Sequence, residues 1–517
     1  MTSPKSLLVR ALDPRSALPV CVLAFFALLG VVWAIARPYG ASVDEEAHYV
    51  RALGVSTGDL IGEAGTWPYN PLTPAQQRTI DAATRRLDLP ARVAARQSSS
   101  GESIFNCFAT RTTESAHCIS PPTGRVVDRS YVGVYPPLPY VAPGIAARAA
   151  GGPVGGLLRA RLASGIVCTV VLALCLFGVR DRSAPAFSLL GVTVALSPTV
   201  LYFSWSMNAN GLEMVAGIGF VALCLRLVRD TPVPGWLWTA TALVGFLLGT
   251  SRPLAFVWIP FGFWVAVVLH GPSSVARAVL RGGRRAGVMI AVLAATVLAV
   301  IVWNLLLGAR TPGGVAAWSG LVKPAVYQIV EGFLPEQIAV SGWGETILPG
   351  PLYLVWKILL VVLALIAFAV GTWRQRLAPL FLLVTYLAGV VLLTRVTQAG
   401  GFPMGGRYFQ PIFTAFPLMW GEVILTNRQR LAGWFRRGLV AVCAVVVAAV
   451  NGVALLANGR RYSVGTDGPW SYVVDGGRWV PPGGWLPWAV LAAAGMVVLV
   501  AGFISRSGER SSAPVVA

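Results

Sequence analysis

The sequence predicts an all-α integral membrane protein of about twelve transmembrane helices with a large first loop outside the membrane. Three observations carry this expectation. The 517-residue chain is 56% hydrophobic and only 12% charged, whereas soluble domains run at about 45–50% apolar and about 25% charged. Apolar runs of about 20 residues, enough to cross a hydrocarbon core roughly 30 Å thick, recur from end to end. Arginines gather between alternate runs, as the positive-inside rule asks of cytoplasmic loops.

Taken in order, the first helix is expected over 16–36, behind Lys5, Arg10 and Arg15. It ends in "AIA", which mimics a signal-peptide cleavage site, but the apolar stretch is long for a signal and reads as a retained helix. A polar loop follows over 37–156. Further spans are expected at 157–179, 184–203, 209–228, 235–250, 253–270, 286–307, 351–371, 378–397, 408–426, 438–457 and 486–505. The segment "YVGVYPPLPYVAPGIAARAAGG", residues 131–152, is ambiguous, because counting it as a span would make thirteen.

The arginines decide. With a cytoplasmic N-terminus and twelve spans, the inside loops receive Arg180 and Arg182, Arg226 and Arg229, Arg277 to Arg285, Arg374 and Arg376, and Arg428 to Arg437. A thirteenth span would turn all of them outside. Residues 131–152 are therefore expected on the outer surface or re-entering it, where irregular backbone can be satisfied. Both termini fall inside, and the outer loops cover 37–156, 308–350, 398–407 and 458–485. Residues 1–517 read as one polytopic domain: the first helix, the loop 37–156, a core over 157–426, and a last helix pair over 427–517 with a Trp- and Gly-rich outer loop. No soluble catalytic domain is expected at either end, so chemistry falls to the membrane module and its outer loops. No internal repeat is evident, which weakens an inverted-repeat transporter.

The 41 basic and 21 acidic residues give a net charge of +20. In this setting the excess marks cytoplasmic loops rather than a nucleic-acid partner. Only three of the basic residues are lysine, a composition suited to a GC-rich bacterial genome. Cys21, Cys168, Cys175, Cys224 and Cys443 fall in apolar runs, as packing thiols do. Cys107 and Cys118 lie together in the first outer loop, where an oxidising space would allow a disulfide; the alternative is two unpaired thiols.

Within so apolar a chain, the acids of "PYGASVDEEAHYV" stand out. Asp44, Glu45 and Glu46 sit where the first helix leaves the membrane, and Asp44 and His48 would share a helical face. Such carboxylates serve as a general base, a metal ligand or a proton relay, or they simply open a solvated loop. Asn208, Asn210 and Glu213, in "SPTVLYFSWSMNANGLE", mark an outer turn at the mouth of the bundle. The asparagines read equally well as an N-cap. Arg252, in "GTSRPLAF", and Arg407, followed by Tyr408 in "GGFPMGGRYFQP", break the positive-inside trend. An arginine fork beside glycines suits phosphate, with lipid-headgroup anchoring the alternative. Trp67, Trp343 and Trp470 lie in Gly- or Pro-rich outer stretches and could stack on sugar rings or belong to an interfacial belt.

The ordered set "SVDEEAHYVRAL", "YPPLPYVAPG", "RARLAS", "LSPTVLYFSWSMNANGLE" and "GGRYFQP" resembles a bacterial polytopic membrane family of unknown function, over about residues 16–430. In outline that family is similar to GT-C glycosyltransferases, which use polyprenyl-phosphate sugars. The resemblance implies a GT-C-like bundle with surface-lying helices in the first loop. It implies Asp44 as catalytic base with Glu45 beside it, and a donor phosphate held by Arg407 and Arg252. Glu46, His48, Asn208, Asn210, Glu213 and Tyr408 would support the cavity. The second-loop position that is usually acidic in such proteins is here Asn210, with Glu213 three residues on. The implied activity is an inverting transfer from a polyprenyl-phosphate sugar, held in the lipid bilayer, to a glycan, lipid or protein acceptor. It would take place on the extracytoplasmic face of a bacterial plasma membrane. Mg²⁺ or Mn²⁺ on Asp44 and Glu45 is an option rather than a requirement. The competing readings are a transporter or flippase of lipid-linked sugars and a non-catalytic envelope-assembly protein.

Overall fold

The computed structural model describes residues 17–66, 74–88, 108, 111–118, 127–229, 231–307, 328–399 and 405–507. Each of the twelve apolar runs forms a helix or a helix pair. Among the described residues, eight helices are long and apolar enough to cross a membrane, or up to ten if each of two bent pairs is one span. The protein is thus an all-α, multi-pass integral membrane protein. The strands among the described residues are short: 63–64, 85–88 and 127–130 form a three-stranded antiparallel sheet, and 340–341 pairs with 346–347.

Two departures from even spans matter for the site. The run 184–203 breaks into Pro185–Ala195 and Pro198–Ser204, which meet at 75°. Pro198 cannot donate to the helical ladder, and Ser197 before it is extended, as a residue preceding proline prefers. The run 253–270 is helical only from Ala255, so Arg252 stays in a turn. The helix Trp258–His270 then bends by 116° into Pro272–Gly282. At 15 residues, Gly235–Gly249 is a shorter apolar helix.

The helix Ala209–Val228 is buried along its whole length and is the axis of the bundle. Pro153–Val179, Gly235–Gly249, Trp258–His270 and Gln410–Asn427 pack around it. Ala17–Ile35 leans on Leu486–Ser507 and Pro153–Val179. Residues 131–152 do not span: their helix, Leu138–Arg148, has 11 residues and lies between Glu45–Ser56 and Pro153–Val179. The segments between the spans thus fold back onto the end of the bundle where the first helix ends, and there they build the candidate site.

Candidate functional site at the mouth of the bundle

The elbow after Ala17–Ile35 is held by Arg161, an arginine inside the apolar helix Pro153–Val179. Its guanidinium uses all five donors. Nη1 reaches the carbonyls of Ala34 at 3.1 Å and Arg37 at 2.9 Å, and Nη2 reaches Pro38 at 2.7 Å. Nε and Nη2 grip Glu45 at 2.8 and 2.5 Å. Glu45 also accepts from the Met207 amide at 3.2 Å and lies 3.9 Å from Arg37. Arg37 in turn donates to Ser206 Oγ at 2.8 Å and to the Trp205 carbonyl at 3.1 Å. Burial alone would raise the Glu45 pKa, but Arg161 outweighs it and the carboxyl is held below its ordinary range. The expectation that Glu45 works beside Asp44 does not fit a side chain of 0% exposure whose oxygens are spent on arginines and a backbone amide. Its position ties the elbow to the 197–213 turn.

Locked from below, the chain turns at Asp44 with φ of 62°, the one non-glycine among the described residues in the left-handed region. Aspartate tolerates that region better than most residues, at about 1 kcal/mol of strain. The turn starts the helix Glu45–Ser56 and aims the Asp44 carboxylate away from it. Tyr131 donates to Oδ1 at 2.7 Å and Arg407 Nη2 to Oδ2 at 3.0 Å. At 22% side-chain exposure, Asp44 remains reachable. Burial, reinforced by the nearby Asp44 charge, raises the Tyr131 pKa well above the ordinary phenol value and keeps it a donor.

Arg407 sits in the turn Gly406–Phe409. Gly406 is needed there, because a Cβ would stand 2.5 Å from the Phe333 carbonyl oxygen. The Gly406 amide donates to Glu336 at 2.5 Å, and Phe409 stacks on Phe333. Burial, partly offset by the Gly406 amide and Arg407, raises the Glu336 pKa. Both guanidinium groups approach Tyr408, with the Arg252 carbon 4.5 Å and the Arg407 carbon 5.0 Å from its ring centroid, and Arg407 Nη2 donates to its hydroxyl at 3.0 Å. Arg252 bonds Glu213 at 2.9 Å, and Trp258 Nε1 donates to the other Glu213 oxygen at 2.8 Å. Burial works against both arginine charges, yet Glu213 for Arg252, and Tyr408 with Asp44 for Arg407, more than offset it and raise their pKa values. The Nε atoms of Arg252 and Arg407 are buried without a hydrogen-bond partner among the described residues.

The structure therefore brings Asp44, Arg407, Tyr408, Arg252 and Glu213 into one constellation. His48 joins its edge, 2.7 Å from the Tyr140 hydroxyl and facing Tyr135. Burial lowers its pKa to about 3, so the imidazole is neutral at ordinary pH. The asparagines serve the scaffold: Asn208 is the N-cap of Ala209–Val228, accepting from the Asn210 amide at 3.0 Å and donating to the Val43 carbonyl at 3.0 Å. Glu46 is partly buried and adds its charge near Tyr131. Trp343 donates to the Gly40 carbonyl and Trp470 lies under Arg460. Cys107, Trp67 and the Cys118 side chain lie outside the described residues, and with them the expected disulfide.

Sequence reasoning missed Arg161, Tyr131, Tyr135 and Glu336. Arg161 carried a signal, since an ionisable residue within an apolar run marks a buried partner. A divalent cation on Asp44 and Glu45 does not fit these donors. The two carboxylates serve separate arginines, and no group of three His, Cys, Asp or Glu able to hold a metal occurs among the described residues.

Among curated proteins, none matches the chain. A solved structure, ArnT from Cupriavidus metallidurans in the apo state, is similar at 15% identity over 98% of this chain and 78% of that one, with a TM-score of 0.37. Residues 26–415 match the family described as "Predicted membrane protein (DUF2142)", and the chain belongs to that family.

Proposed function

We propose that the protein is a membrane glycosyltransferase that moves a sugar from a polyprenyl-phosphate donor to an acceptor outside the cytoplasm, with inversion. The observation that carries this reading is the contact of Asp44 with Arg407, with Arg252 at the same Tyr408 ring. It sets a reachable carboxylate beside two cations that still hold unused buried donors.

The chemistry follows from these groups. In the free protein Arg407 is occupied by Asp44. A donor phosphate entering between Arg407 and Arg252 offers the guanidinium groups a more highly charged, bidentate partner. Asp44 Oδ2 is thereby released toward an acceptor hydroxyl, while Tyr131 keeps Oδ1 oriented. The acceptor oxygen attacks the anomeric carbon as its proton passes to Asp44. The bond from that carbon to the phosphate oxygen breaks, and polyprenyl phosphate leaves with its charge met by the two arginines. One displacement inverts the anomeric centre.

The test is Asp44→Asn in membranes supplied with a radiolabelled polyprenyl-phosphate sugar. Transfer should fall by about 10²–10⁴-fold, the usual contribution of a positioned base, with insertion unchanged. Full transfer by the variant overturns the assignment. Movement of lipid-linked sugar across proteoliposomes without a glycosidic product would favour a transporter.

A further inference from the structure

The far end of the bundle has a feature that the transfer reaction does not use. Trp258–His270 starts beside Glu213, to which Trp258 donates, and its 13 residues carry the chain about 20 Å toward the opposite end. There His270 Nε2 lies 4.0 Å from Glu422, which is paired with Arg229. The chain turns by 116° at Gly271, and Pro272–Gly282 runs across the bundle end rather than along the spans.

This helix has two unlike faces. Ala278 is buried, and Val275 and Val279 pack against the core. Arg277, Leu280 and Arg281, at helical spacing of three and four, share the outer face, and all three are exposed, Leu280 at 78%. Further arginines close in at its ends. Arg374 Nη1 lies where a Cβ on Gly271 would stand, and Arg284 and Arg285 follow directly after Gly283 at the other end. Residues 271–306 hold four arginines and no Asp or Glu, and residues 350–399 hold no acid either. Exposed Trp373 and Trp434 begin the neighbouring segments at the same end.

We propose that Pro272–Gly282 lies in the headgroup layer of the leaflet opposite Asp44 and binds anionic phospholipid through Arg277 and Arg281, with Arg374 at its first turn. Exposed arginines on segments that carry no acid of their own select phosphate of net negative charge. The exposed leucine between the arginines selects a lipid over a soluble polyanion, because it has favourable surroundings only below a headgroup layer. Long arginine stems reach up to the phosphates while Leu280 dips toward the acyl chains.

The purified full chain, reconstituted in nanodiscs of phosphatidylcholine with and without phosphatidylglycerol, tests this. The thermal midpoint of the wild type should rise with phosphatidylglycerol. Arg277→Gln/Arg281→Gln, at exposed positions, should lose at least half of the rise while matching wild type in phosphatidylcholine. A double variant that keeps the full rise overturns the proposal. So does an equal rise on adding inorganic phosphate or glycerophosphate, which would mark a site for free anions. Independently, bimane on Leu280→Cys should be quenched by nitroxide-bearing lipid. Quenching by aqueous iodide alone would take the helix out of the bilayer.

Discussion

Asp44, Glu45 and His48 lie within five residues and have three different fates. Consecutive helical residues do not share a face, so once a helix begins at Glu45 the neighbouring acids must part. Asp44 turns outward in the left-handed region toward Arg407, Glu45 turns down onto Arg161, and His48 sits beneath Tyr140. His48 gives a prediction with a definite sign. Burial places its folded-state pKa at about 3, below the ordinary 6.5. The unfolded chain therefore takes up a proton below about 6.5 that the folded chain refuses until about 3. Stability from this group is complete above 6.5 and is lost progressively as pH falls toward 3. The thermal midpoint in detergent should drop more steeply between those limits for wild type than for His48→Gln. Parallel slopes would show that the imidazole is not the group responsible. That an acid cluster stood at the membrane exit was legible in the sequence. Which acid faced the mouth was not, because that depended on Arg161, 116 residues away.

Among the elements, the elbow between Ala17–Ile35 and Glu45–Ser56 depends most on one side chain. Arg161→Leu would leave Glu45 buried with only the Met207 amide and the more distant Arg37, and would orphan three carbonyls. Breaking a buried pair in this way costs about 3–5 kcal/mol. The variant should therefore show a clearly lowered thermal midpoint and poor recovery from membranes, whereas Arg161→Lys should recover little, since an ammonium cannot serve five acceptors. A variant as stable as wild type would show that the elbow is held by its apolar packing. Helix positions were legible because apolar length alone sets them, and each expected run is helical. The break at Ser197–Pro198 had a visible sign in the proline, but the run was apolar throughout and read as one span. The tyrosines of 131–140 were hidden for a different reason. Their segment is too short to span, and its packing against Glu45–Ser56 is a tertiary fact that periodicity does not record.

At the scale of the whole molecule, alternating helices decide which groups can meet. Asp44, Arg252, Glu336 and Arg407 come from four distant stretches and assemble because each follows or precedes a span at the same end. Arg229, Glu422, Arg277 and Trp434 gather at the other. The sense of the bundle in the membrane then becomes chemically decisive. Under the proposed sugar transfer, an Asp44 end that faces outward requires a lipid-linked donor, since soluble nucleotide sugars are made inside the cell. If it faces inward, that argument for a lipid donor disappears. Two exposed positions report the sense: Val474, 82% exposed at the Asp44 end, and Trp434 at the opposite end. In a Cys107→Ser/Cys118→Ser background, Val474→Cys should react with a membrane-impermeant maleimide in intact cells. Trp434→Cys should react only after the membrane is opened. The reverse pattern would turn every arginine cluster outward against the positive-inside trend and place Asp44, Arg252 and Arg407 on the cytoplasmic side. Labelling of both positions in intact cells would show leakage rather than topology, so the assay carries a cytoplasmic enzyme's thiol as its internal standard.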